Sequence, residues 1–186
     1  MGARTYWRAP VPPLGYADGP TYTTASLGDV SPVPAVTVPA ILEIGTRMHV
    51  LAQGSVANSA AGTISFGVYW TAVGTAAPGI ALGVSTAATL VNSSSVAWPW
   101  RLDWEGEVRA LSTTAGGSTG SIKGFGLLWL PASITQMQAP YAIPITDALK
   151  TVAIPTASSN NLMIGVTPSV TTITTICQHL DVELIG

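Results

Sequence analysis

The chain has 186 residues, with only seven Lys plus Arg and nine Asp plus Glu among them and a net charge of −2. That balance excludes a basic field for nucleic acid or an anionic membrane surface, and the single Cys177 excludes an internal disulfide framework or a multi-cysteine zinc site. A chain so poor in charge, built instead from Thr, Ser, Ala, Val and Gly, is expected to hide much of its surface against copies of itself or other partners.

Residues 1–40 hold Pro10, Pro12, Pro13, Pro20, Pro32, Pro34 and Pro39, half of the chain's 14 prolines. Proline lacks the amide donor and pushes its predecessor toward extended backbone, so neither a helix nor an inner strand is expected there. The same segment carries Tyr6, Trp7, Leu14, Tyr16, Tyr22 and Leu27, which a solvated linker does not need. It reads as an extended arm laid on a surface, its own or a neighbour's, with Tyr6, Trp7, Tyr16 and Tyr22 as anchors. The N-terminus lacks the apolar stretch of a secretory signal, and Tyr6 stands where a myristoylation site needs Ser or Thr. The chain therefore reads as an intact cytoplasmic product. No apolar run is long enough for a transmembrane helix, since the best stretch, residues 80–91, is broken by Gly83, Ser85, Thr86 and Thr89.

Residues 41–186 read as a single all-β domain. Met48, Val50, Ala52, Gly54 and Val56 alternate with Arg47, His49, Leu51, Gln53 and Ser55. Ile64, Phe66, Val68 and Trp70 alternate with Ser65, Gly67, Tyr69 and Thr71. Over residues 98–110, Trp98, Trp100, Leu102, Trp104, Val108 and Ala110 share one face, and Arg101, Asp103, Glu105, Glu107 and Arg109 the other. Successive strand side chains point to opposite faces, so this pattern predicts one buried face and one wet face. The Ser, Thr and Gly of 112–121 predict a turn, and 122–130 a return strand, making a long hairpin. Further strands are expected near 150–154, 162–167 and 175–185, the last with Ile176, Gln178, Leu180, Val182 and Leu184 opposite Cys177, His179, Asp181 and Glu183. The fold class expected is an antiparallel β-sandwich of jelly-roll type, with a barrel or an immunoglobulin-like sandwich giving the same periodicity.

Candidate chemistry is sparse. Asp103, Glu105 and Glu107 sit at i, i+2 and i+4, roughly 6.5–7 Å between neighbours on one strand face, a separation inverting glycosidases use. Catalytic acids need one desolvated member, and three carboxylates on a wet strand beside Arg101 and Arg109 fit an ion-pair surface better. His49 and His179 fall on polar strand faces without ligand spacing, and Cys177 has no nucleophile motif around it. No enzyme activity, cofactor or metal is expected. Trp98, Trp100 and Trp104 read as core, with a sugar-stacking platform as the rival, whereas Trp129 falls outside that stripe and reads as an interface residue. The sequon Asn92-Ser93-Ser94 stands without a secretory signal.

Three stretches, ILEIGTRMHVLAQGSVANSAAGTISFGVYW (41–70), WPWRLDWEGEVRALSTTAGGSTGSIKGFG (98–126) and TTICQHLDVELIG (174–186), resemble structural virion proteins of tailed bacteriophages, of the capsid decoration, head-fibre or minor tail type. The cadence shared is a Gly-Thr entry to the first strand, a Trp-rich strand followed by a Thr/Gly loop, and a Val-Glu-Leu ending. The resemblance implies a capsid decoration (cement) protein on the outside of the phage head, assembled in the host cytoplasm. It would bind the major capsid protein and form a homo-oligomer, by the habit of such proteins a trimer, anchored by extended arms. The alternative it implies is a tail or head-fibre domain binding a host surface glycan.

Overall fold

Alternation of apolar and polar residues builds nearly the whole molecule. The computed structural model describes residues 6–8, 18–32, 36–38, 42–91, 96–111, 119–133, 136–137, 140–144, 151–156 and 159–186, and no helix occurs among them. Fifteen strands follow in chain order: β1 (Tyr6–Arg8), β2 (Gly28–Asp29), β3 (Val36–Val38), β4 (Arg47–Asn58), β5 (Gly62–Ala72), β6 (Ile80–Val84), β7 (Ala88–Leu90), β8 (Trp98–Leu111), β9 (Thr119–Trp129), β10 (Pro131–Ser133), β11 (Gln136–Met137), β12 (Tyr141–Ile143), β13 (Thr151–Pro155), β14 (Asn160–Pro168) and β15 (Ile173–Ile185).

These strands form an antiparallel β-sandwich. The larger sheet runs β1-β15-β4-β8-β9-β12, with β13 also on β9; the smaller runs β2-β14-β5-β6, with β3 also on β14 and β7 on β5; β10 and β11 make a separate ribbon. The 98–130 hairpin forms as β8 and β9, paired from Arg101 opposite Trp129 to Leu111 opposite Gly120. The spatial order β15-β4-β8-β9 is the 4-1-2-3 order of a Greek key, although the chain passes through the smaller sheet between β4 and β8.

The inner faces meet in one apolar core that includes Met48, Val50, Phe66, Trp70, Trp100, Leu102, Trp104, Ile164 and Val182. Phe66 and Trp100 touch across the sheets, ring centroids 4.7 Å apart and tilted by 47°. Trp104 shapes the interface most. A Cβ on Gly106 or Gly124, its neighbours on β8 and β9, would run into the Trp104 ring, and a Cβ on Gly83 of β6 would stand 3.1 Å from the indole nitrogen. The indole thus lies along the inner surface of one sheet and against the other, in space that three glycines leave open.

The proline-rich segment follows its own chain. β1 lies on the edge of the larger sheet against β15, and Tyr22 bridges Thr175 further along the same strand. The segment then crosses to the smaller sheet, where β2 and β3 pair with β14. All three short strands are edges, which is where proline can neighbour a ladder. Val30, Val36 and Val38 are buried in the same core as the residues beyond 40. A hydrogen-bonded clasp fixes the crossing: Asp29 accepts from the Ser31 amide (2.8 Å) and hydroxyl (2.6 Å), and the Ser31 hydroxyl oxygen accepts the Ile164 amide at 2.8 Å.

Three details of the alternation differ from expectation. On β15 the inward set is Ile173, Thr175 and Cys177, then Leu180, Val182 and Leu184; Ile176 is half-buried and Gln178 is exposed. A β-bulge causes this, since Gln178 is the extra residue between Cys177 opposite Gly54 and His179 opposite Gln53. On β8 a second bulge at Arg109 turns Ala110 outward after Val108. On β5 both faces are covered: Gly67, Tyr69 and Thr71 are buried as well as Ile64, Phe66, Val68 and Trp70. Tyr69 lies flat over Gly165, beside Leu27 of the N-terminal segment, and this burial raises its hydroxyl pKa above the ordinary value.

Candidate interaction surface

The outward face of the larger sheet is the most differentiated surface on the molecule, and register fixes its layout. One row across the strands reads Ile185, Arg47, Glu107, Lys123; the next Glu183, His49, Glu105, Phe125; then Asp181, Leu51, Asp103, Leu127; then His179, Gln53, Arg101, Trp129. Register sets Glu107 between Arg47 and Lys123, about 4.5–5.5 Å apart at Cβ, while the ion pairs themselves run diagonally from β4 to β8 and along β8. His49 Nε2 lies 2.9 Å from Asp103, Arg101 lies 3.2 Å from the other Asp103 oxygen, and Arg109 donates to Glu107 at 2.6 Å.

The carboxylates Asp103, Glu105 and Glu107 accordingly share an exposed face with cations. A shallow depression of about 260 Å³ among Arg47, Glu105, Glu107, Arg109, Lys123 and Phe125 contains both signs in alternation. This is the arrangement of a mixed ion-pair surface. His49 and His179 are two rows apart, and among the described residues no group of three or more His, Cys, Asp or Glu is placed to hold a metal. Cys177 faces inward and is fully buried, with its sulfur against the Gln53 and His179 carbonyls at 3.5 and 3.2 Å. Burial pushes the thiol pKa up to about 12 despite those two contacts, so it stays protonated and is a packing group.

The five interaction candidates separate. Tyr6 and Trp7 lie on β1, with backbones opposite Ile185 and Leu184. Tyr16 lies outside the described residues. Tyr22 is half-buried against the chain's own core, its hydroxyl donating to the Ser26 carbonyl at 3.0 Å and its ring lying where a Cβ on Gly28 would stand. Trp129 is half-buried on the outward face, with the Arg101 guanidinium carbon 5.6 Å from its ring centroid. Trp98, Trp100 and Trp104 are all buried. The sequon at 92–94 also falls outside the described residues.

Sequence reasoning passed over Phe125 and Leu127, which are 57% and 37% exposed beside Trp129 on the outward face of β9. The inward set of that strand is Ile122, Gly124, Gly126 and Leu128, so its bulkier apolar set points outward. The signal was the pair of glycines, which only a large side chain from a neighbouring strand could require. No protein-family model, no curated protein and no solved structure matches the chain.

Proposed function

We propose that the chain is a structural subunit of a tailed-bacteriophage virion, a capsid decoration protein that binds the outside of the head through the outward face of its larger sheet. The observation that carries this reading is Phe125 and Leu127, exposed in mid-strand on β9 beside the charged outward side chains of β8. Exposed apolar side chains flanked by charge fit a protein interface. Covering a large apolar side chain contributes about 1.5–3 kcal/mol, reduced by the costs of association. A homo-oligomer, taken as a trimer by the resemblance, would repeat that contact and gain by avidity. The charge rows set register against the shell protein, since a displaced docking places like charges together. No reaction enters this function.

The test is copy number. Quantifying the chain against the major capsid protein in purified particles is expected to give hundreds of copies each. A handful of copies would place it on the tail or on a fibre and end the decoration reading.

A further inference from the structure

The upper part of the same sheet face carries a groove of about 740 Å³, two rows along the strands from Phe125. It spans four strands, from Trp129 on β9 across Arg101 and Gln53 to Gln178 and His179 on β15, roughly 14 Å at 4.7–4.9 Å per strand. The β15 bulge makes one wall, because the extra residue Gln178 leaves both it and His179 exposed where strict alternation would turn one of them inward. Trp129 makes the other wall, and Pro99 adds a flat apolar surface.

The chemistry of this lining is narrow. It combines the Trp129 indole, with Trp100 beneath, two side-chain amides, one guanidinium, one imidazole and two prolines, and it includes no carboxylate. Asp181 and Asp103 stand in the adjacent row, and Asp103 accepts one of the Arg101 donors at 3.2 Å, leaving the other guanidinium N–H groups for a ligand. Arg101 is half exposed and lies between Asp103 and the Trp129 ring, whose centroid is 5.6 Å from its guanidinium carbon, so its guanidinium sits beside the indole. An indole offers a flat apolar surface to the C–H face of a pyranose ring. Each glutamine offers donors and an acceptor to hydroxyls that are themselves both. A guanidinium offers a charge-assisted bond to a carboxylate.

We propose that this groove binds a short acidic oligosaccharide, with a sugar ring stacked on Trp129, its carboxylate on Arg101, and hydroxyls on Gln53 and Gln178. The groove shares the outward face with the proposed shell contact, so it is tested on the free chain, where sugar binding is read without any shell and its outcome stands apart from copy number on particles. The test titrates the full-length chain, by isothermal calorimetry and tryptophan fluorescence, with uronate- and sialate-bearing tetrasaccharides, the methyl ester of each, and a tetraglutamate peptide. At least one acidic sugar is expected to bind with a Kd below about 1 mM and at least tenfold more tightly than its ester. Trp129→Ala is expected to weaken it at least tenfold. Arg101→Gln is expected to bring acid and ester to the same affinity, and it serves as the independent readout should Trp129→Ala fail to fold. Absence of binding across the whole panel, equal affinity for acid and ester in the unsubstituted chain, or unchanged binding by the folded variants would each overturn the site. Tetraglutamate binding as tightly as the sugars would overturn it too, in favour of a protein ligand.

Discussion

Trp104 decides what β8 and β9 can carry. Its indole occupies the inner surface over Gly106 and Gly124, so those positions leave no room for a side chain, and between Ile122 and Leu128 the large apolar residues of β9 are the outward Phe125 and Leu127. Gly124→Ala is expected to destabilise the chain by about 1–3 kcal/mol through overpacking, read as a lower urea midpoint. Combining it with Trp104→Phe should recover the part of that loss due to the indole but not the part due to the Glu105 carbonyl oxygen, 2.5 Å from the added carbon; strictly additive losses would show that the two positions do not share the space. A second single-residue effect is electrostatic. Desolvation raises the Asp29 pKa above the ordinary 3.8, outweighing the two hydrogen bonds from Ser31 that lower it. A raised carboxylate pKa means the folded state holds its proton more tightly than the unfolded state. Asp29 therefore subtracts stability as pH rises from 3.8 through its folded pKa, and subtracts a constant amount above it. Asp29→Asn has no such slope, so its urea midpoint should improve relative to the parent chain as pH rises from 3.8 through the raised folded pKa of Asp29, whatever the constant offset between them. A difference that does not change with pH would refute this.

Among the elements, the N-terminal edge strands have the most testable energetics. β2 and β3 cover β14, and Val30, Val36 and Val38 fill the core beneath. Deleting residues 1–40 is expected to remove three buried valines, at about 1.5–3 kcal/mol each, and to expose the β14 ladder, leaving a chain that melts far lower or does not fold. Deleting only residues 1–17 should leave a cooperative transition, because the Asp29 clasp and the Tyr22 bridge remain. Thermal melts of the two truncations check this, and equal stability would contradict it. The same elements show what the sequence makes legible. Strands β4, β8 and β9 could be read from period two, because side-chain alternation is a local consequence of the pleat. The outward placement of Asp103, Glu105 and Glu107 followed from it. The phase of β15 could be read only beyond its bulge: Leu180, Val182 and Leu184 face inward as alternation has them, whereas before it Cys177 and not Ile176 does, because one extra residue at Gln178 shifts the register and nothing in the residue types announces a bulge. The buried second face of β5 was equally hidden, because Tyr69 packs over Gly165 of β14, distant in sequence. Strand order is a property of pairing between distant segments, and periodicity carries no record of it.

Over the whole molecule, scarce charge and its placement make one argument about assembly. Residues 48–100 carry no charged side chain, and the strands within them, β4 to β7, supply much of the inner surfaces of both sheets. The charge that exists in the middle of the chain is gathered on the outward face of β8 and its neighbours, around Phe125 and Leu127. On the proposed reading such a face would discriminate by charge and hold by apolar burial, so the two contributions can be separated by substitution. The double variant Phe125→Ser, Leu127→Ser removes the apolar part from exposed positions, where a change in folding stability of only about 0.5 kcal/mol is expected. Against phage shells lacking the chain, its binding should fall at least tenfold per contact, since burial worth about 1.4 kcal/mol or more is lost at each. A trimer repeating the contact compounds that loss, so co-sedimentation with shells should drop from near-saturation to background while the thermal melt is unchanged. Glu105→Lys leaves the apolar contact and reverses a rim charge, so it should slow association and alter its salt dependence more than it shortens residence. Wild-type occupancy by the double serine variant would show that the shell is gripped elsewhere on the chain.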